Sequence, residues 1–137
     1  MQPVTPSFRV FVYGTLKPGE VNYHYCQSEV LAAQPAFVRG QLYALPFGYP
    51  ALTVGSNRVY GVVFSFINSA VLTALDQLED YYPARPHQSE YLRVKTAAFS
   101  LDGQSLGSVW VYQMTRQQVV TSGGVLLPQG EWSGRPG

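Results

Sequence analysis

Two kinds of apolar pattern divide the chain. Between Asn68 and Pro83 the apolar positions Val71, Leu72, Leu75 and Leu78 recur at helical spacing, which puts them on one face of a helix. Asn68 or Ser69 can cap its N-terminus, and Pro83 forbids much continuation, so a helix is predicted over 68–82. Elsewhere the apolar residues come in short blocks rich in β-branched and aromatic side chains. Phe8-Arg9-Val10-Phe11-Val12-Tyr13 is apolar at nearly every position and reads as a buried strand ending at Gly14. Further strands are expected over 37–45, 51–54, 58–66, 91–99 and 108–114. Pro46, Gly48, Pro50, Gly55 and Asn57 mark turns between them, and Asp102-Gly103 marks a hairpin. A short helix is expected over 23–31. The tail from Thr121 is rich in Gly, Pro and Ser but carries Val125-Leu126-Leu127 and Trp132, so part of it should pack on the domain. About six strands and one well-marked helix make an α+β protein. A chain this rich in strands must hide its edges, and closing the sheet into a barrel is one way to do so.

Length and composition narrow the class. The 137 residues suit one domain, over 1–137, with a real core. Hydrophobic residues make up 46% and charged residues 12%, too apolar and too uncharged for a disordered chain. The net charge of +1 is spread along the sequence, with no basic stripe for nucleic acid and no polybasic patch for a membrane. No apolar run approaches the roughly 20 residues of a membrane span, and the N-terminus lacks the apolar core of a signal peptide. The single cysteine, Cys26, excludes an internal disulfide framework. These features fit a cytoplasmic protein, and a monomer is the default expectation.

Glu79 is the residue whose position is hardest to reconcile with ordinary surface chemistry. At about 100° per residue, with Leu72 at zero, Leu75 falls near 300° and Glu79 near 340°, inside the apolar stripe. Asp76 and Asp80 flank that stripe on its wetter side, near 40° and 80°. A carboxylate in the stripe is costly unless paired or neutralised. The helix C-terminus disfavours its charge, and Asp76 and Asp80 add like charge. All three effects raise a carboxyl pKa, the tuning a general acid/base needs near neutral pH. On the pattern alone a second reading stands beside this one: a helix-end glutamate curling to solvent or pairing with Arg85 or Arg93.

Other constellations are weaker. Tyr13-Gly14-Thr15-Leu16-Lys17-Pro18-Gly19 follows a buried strand, and a turn there can aim successive N–H groups at a carboxylate or oxyanion. It can equally be an ordinary strand-to-loop turn. It matches neither a phosphate-binding P-loop nor a dinucleotide fingerprint. His24 and Cys26 are two apart and His87 lies in a Pro-rich loop, so no metal-ligand spacing exists. Cys26 with a histidine is a conceivable nucleophilic pair, with a buried structural thiol the simpler alternative. Tyr91, Arg93 and Lys95 alternate on one strand face, either holding a substrate carboxylate or simply solvated. Tyr81-Tyr82 suits a pocket wall or the core.

Two of these segments resemble a known family when taken together. Phe11-Val12-Tyr13-Gly14-Thr15-Leu16-Lys17-Pro18-Gly19, with Asn22 just after, resembles the start of the gamma-glutamylcyclotransferase-like family, in its γ-glutamylamine cyclotransferase and avirulence-induced-protein-like branch. Leu75-Asp76-Gln77-Leu78-Glu79-Asp80-Tyr81, followed by Tyr91-Leu92-Arg93, resembles that family's helix with its acid/base glutamate. Val59-Tyr60-Gly61-Val62-Val63-Phe64 resembles the strand before that helix, and Gly130-Glu131-Trp132 its closing Gly-x-Trp segment. The resemblance runs in order over most of the chain. It implies a small mixed β-barrel of about six strands with flanking helices and a pocket at the barrel mouth. It implies that backbone groups of Tyr13, Gly14, Thr15 and Leu16 bind the γ-glutamyl part of a small-molecule γ-glutamyl amide. It makes Glu79 the essential carboxylate of a cyclisation that releases 5-oxoproline and a free amine, with no metal or cofactor. The alternatives are a non-catalytic binding module on the same barrel, or an amide hydrolase in which Glu79 activates water. Asp80 departs from the pattern, since many members have glycine there. A second carboxylate beside Glu79 is expected to raise its pKa further or to alter the pocket.

Overall fold

The computed structural model of the chain describes residues 8–134. The expected domain over 1–137 thus includes ends that lie outside the described residues. Six strands form one mixed sheet: β1 (Phe8–Val12), β2 (Ala32–Ala44), β3 (Pro50–Phe66), β4 (Leu92–Ser100), β5 (Ser105–Gln113) and β6 (Val125–Leu126). Their order is β3-β1-β5-β4-β2-β6, and a further β3–β2 pairing closes the first five into a barrel. All neighbours are antiparallel except β1 and β5, which are parallel.

β1 explains its own unbroken apolar sequence. Phe11 and Tyr13 point into the barrel among Ala36, Val38, Leu42, Leu52, Val59, Val63, Ala98, Val109 and Val111. Val10 and Val12 point outward, beneath a second core that Val71 and Leu75 of helix α1 (Ala70–Leu78) help to build. With both faces covered, the usual alternation disappears.

The 51–54 and 58–66 segments, expected as two strands, are one strand. Gly40 pairs with Asn57 and Gln41 with Thr53, which leaves Val54, Gly55 and Ser56 without register partners on β2. The anticipated turn is therefore a bulge that bends β3 without ending it. The reversal between β2 and β3 lies at 45–49, where Pro46 and Gly48 mark the expected turn; Gly48 has φ of 91° and Leu45 N–H donates to the Tyr49 carbonyl.

The helix expected over 23–31 is two 3₁₀ turns, Tyr23–Tyr25 and Gln27–Glu29, leading into β2. Cys26 between them is fully buried, and burial pushes its thiol up to about 11, so it is a packing group here rather than a nucleophile. Helix α2 (Arg116–Thr121) is an element the apolar period does not reveal. Thr115 and Gln118 form its capping box, a signal present in the sequence as Thr-x-x-Gln. The tail packs as expected. β6 joins β2, Gly130 accepts from Tyr60 N–H at 2.8 Å, and Trp132 covers the barrel core.

Candidate active site

α1 stops earlier than Pro83 suggests. Leu78 is its last residue and Glu79 its C-cap. Asp80 takes φ of 53°, its N–H donates to the Gln77 carbonyl at 3.2 Å, and Tyr81 N–H reaches the Asp76 carbonyl at 2.8 Å. This is the paired closure that usually places glycine in the left-handed position, a conformation aspartate tolerates better than most residues. The Asp80 carboxylate accepts from Tyr82 O–H at 2.6 Å at the surface. Asp80→Gly is therefore expected to leave stability unchanged or raise it by up to about 1 kcal/mol. It should not move the pH dependence of any activity; thermal melts and a pH profile of the variant check both.

The turn points Glu79 into a cavity at the barrel mouth. Its walls are the end of β1, the 13–16 loop, Tyr49, Pro50, Leu78, Glu90, Tyr91 and Tyr112. Its volume of about 160 Å³ lies below the roughly 300 Å³ at which drug-sized pockets begin, and suits a group the size of an amino acid. Burial, and then the negative charge of Glu90, push the Glu79 carboxyl from 4.5 up to about 7. The like charge thus comes from Glu90, across the cavity, and not from Asp76 or Asp80. No hydrogen bond or ion pair reaches the Glu79 carboxyl among the described residues.

Asp76, expected on the wetter side, is buried at 8% exposure. It accepts from Tyr112 O–H at 2.7 Å and pairs with Arg93 at 2.9 Å. Arg93 is thereby committed to Asp76 and to the Trp110 face, 4.5 Å away, and is not free to pair with Glu79. Arg85 lies over the Tyr82 ring instead. Of the Tyr91, Arg93 and Lys95 trio, Tyr91 alone reaches the cavity, and Lys95 stacks on Trp110. Tyr81 packs half-buried on the core while Tyr82 is exposed.

In the wall of the same cavity, the Gly14, Thr15 and Leu16 N–H groups donate to no acceptor among the described residues. The loop is held by other atoms: Lys17 N–H to the Gly14 carbonyl, and Asn22 to Thr15 through both backbone and side chain. Gly14 has to be glycine, because a Cβ there would lie 2.7 Å from Pro50 Cγ. The Tyr13 side chain serves the scaffold. Its hydroxyl donates to the Tyr112 carbonyl at 2.5 Å and accepts from Leu52 N–H at 3.2 Å. Tyr91 O–H ties the opposite wall to the Pro50 carbonyl at 2.7 Å. Burial raises all three phenols Tyr13, Tyr91 and Tyr112, so they stay neutral donors.

Tyr13, Gly14, Thr15, Leu16 and Glu79, singled out in the sequence, thus meet around one cavity. Glu90, Tyr49 and Tyr112 were not singled out. Glu90 and Tyr49 lie in or beside loops without a periodic pattern, and their pairing, Tyr49 O–H to Glu90 Oε1 at 2.5 Å, spans 41 residues of sequence. Among the described residues no group of three or more His, Cys, Asp or Glu is placed to hold a metal ion. No helix there is long and apolar enough to cross a membrane.

A closed mixed barrel with an acid-bearing pocket at its mouth defines the structural class. A family model described as "Gamma-glutamyl cyclotransferase, AIG2-like" matches residues 10–134, and the chain belongs to that family. It is 32% identical over 127 residues to the gamma-glutamylcyclotransferase family protein YtfP of Escherichia coli K12, covering 93% of this chain and 97% of that one. It is 30% identical over 103 residues to the gamma-L-glutamyl-butirosin B gamma-glutamyl cyclotransferase of Niallia circulans, covering 75% of this chain but only 65% of that relative's length. Among solved structures, an AIG2-like protein from Mus musculus superposes with a TM-score of 0.68 at 22% identity, covering 92% of this chain and 88% of that one.

Proposed function

We propose that this protein is a γ-glutamyl cyclotransferase with Glu79 as its general acid/base. The observation that carries the reading is that Glu79, whose carboxyl is raised by burial and by Glu90, lines the same amino-acid-sized cavity as the 13–16 loop, whose Gly14, Thr15 and Leu16 N–H groups have no acceptor among the described residues. The substrate is an amide made through a glutamate side chain. Its α-amine attacks its own γ-carbonyl, forming the ring C–N bond, while Glu79 takes the proton that the nitrogen sheds. The oxyanion collapses as the bond to the leaving nitrogen breaks, and that nitrogen takes the proton from Glu79. The products are 5-oxoproline and a free amine. The protein supplies no nucleophile. It holds the substrate folded, with the N–H groups of the 13–16 loop on the glutamyl head or the oxyanion.

The test is release of 5-oxoproline from a panel of γ-glutamyl amides. Free glutamate as the product would replace cyclisation with hydrolysis, and binding without any product would leave only a binding module. Where turnover occurs, kcat/KM is expected to fall as pH drops below about 7, because Glu79 then loses the ionised form that accepts the proton. Glu90→Gln should move that limb to lower pH by removing the charge that helps hold Glu79 protonated.

A further inference from the structure

Glu90 occupies a position that acid/base chemistry at Glu79 does not require. It lines the Glu79 cavity and also a neighbouring groove of about 260 Å³ beside α2, walled by Thr115, Gln117, Gln118, Thr121 and Ser122. Its backbone is fixed from two sides. Its N–H donates to the Asp80 carbonyl at 2.9 Å, next to the turn that carries Glu79, and its carbonyl accepts from Gln118 Nε2 at 3.3 Å on α2. One carboxylate oxygen accepts from Tyr49 O–H. Among the described residues, neither the cavity nor the groove has a lysine, arginine or histidine in its wall. Of the cations near this end of the molecule, Arg93 pairs with Asp76, Arg85 lies over Tyr82, and Arg116 is exposed on α2 outside the wall of the groove.

That charge distribution discriminates between leaving amines. An amino-acid leaving group brings a carboxylate, which would meet two carboxyls and no cation in the walls of the cavity or the groove. A leaving group with a second amine brings a positive charge, which a half-buried carboxylate already oriented by a phenol would accept. Hydroxyl and amide groups of the α2 groove would then meet a polar, uncharged remainder. We propose that the amine released by this enzyme is itself a cation, a di- or polyamine whose second ammonium group sits on Glu90 while its far end runs into the groove along α2. This inference rests on the cyclotransferase reading and adds the substrate class to it.

The test uses three γ-glutamyl amides: that of a short diaminoalkane, that of the alkylamine of equal length, and γ-glutamyl-alanine. For each, kcat and KM for 5-oxoproline release are measured with the wild type and Glu90→Gln, and binding to Glu79→Gln is measured by calorimetry. The wild type is expected to favour the diamine amide over the alkylamine amide by roughly tenfold or more in KM, with γ-glutamyl-alanine poorest. In Glu90→Gln the diamine-to-alkylamine ratio should collapse toward one. Any effect of Glu90 on Glu79 ionisation moves both amides alike and leaves the ratio intact. Turnover without a preference for the diamine, or with a ratio unchanged in Glu90→Gln, overturns the inference and leaves the cyclotransferase standing. A diamine preference in binding with no 5-oxoproline overturns the cyclotransferase and leaves the cation seat. Neither preference nor product overturns both.

Discussion

Glu79→Gln is expected to lower kcat/KM for 5-oxoproline release by roughly 10²–10⁴-fold, the range typical of a lost general acid/base, while the protein gains stability at alkaline pH. The two effects share one cause. The folded chain holds the Glu79 carboxyl at about 7, whereas an unfolded chain leaves it near 4.5, so between those values the native state binds the extra proton. Stability therefore declines as pH rises from about 4.5 through 7 and stays reduced above. Glutamine is nearly isosteric and has no charge to desolvate, so at pH 8 the variant should match or exceed the wild type, by on the order of 1 kcal/mol. Below pH 4.5 the difference should vanish. Denaturant melts at both pH values, beside the product assay, read these together. An inactive variant that is also less stable at pH 8 would point to lost packing and not lost chemistry. An active variant would remove Glu79 from the reaction.

Gly61→Ala is expected to be strongly destabilising. Gly61 lies on β3 where β1 crosses, and a Cβ there would sit 2.2 Å from the Val12 carbonyl oxygen and 2.8 Å from the Phe11 ring. The first neighbour is backbone and cannot rotate away, so relief requires β1 to part from β3 near the Val12–Val62 pair. The expected cost is about 3 kcal/mol, at the upper end for an overpacked core. Because Val12 leads directly into the 13–16 loop, whatever protein remains folded should also bind substrate less tightly. A denaturation midpoint equal to that of the wild type would show that the strands can separate without cost.

How much of this was legible beforehand depended on the reach of each signal. The strands and α1 were readable because their patterns are local, and the family resemblance supplied the barrel. Glu79 was readable because its place in an apolar stripe is itself a local anomaly. Asp76 was misplaced by the same helical wheel, which cannot know that Arg93 and Tyr112 arrive from β4 and β5 to satisfy a buried carboxylate. The bulge at 54–56 looked like a turn because glycine and serine serve both, and only the β2 register separates them. The 23–31 segment lacks the apolar period that sustains an α-helix and settles into 3₁₀ turns. Glu90 belongs to no periodic pattern that would single it out within its loop, since its importance comes from the cavity it lines.

The parallel contact between β1 and β5 has a consequence for how the protein is made. β1 precedes the other described strands along the chain, yet it sits between β3 and β5. The hydroxyl at its end, on Tyr13, is tied to the carbonyl of Tyr112, 99 residues later. Closure of so long a loop is an entropic barrier that local structure cannot lower, and it makes for slow folding. A nascent chain still short of β5 carries every residue of the 13–16 loop and Glu79 as well, but the strand that seats them has no far-side neighbour. The cavity that joins the 13–16 loop to Glu79 should then form late and all at once, when the barrel closes.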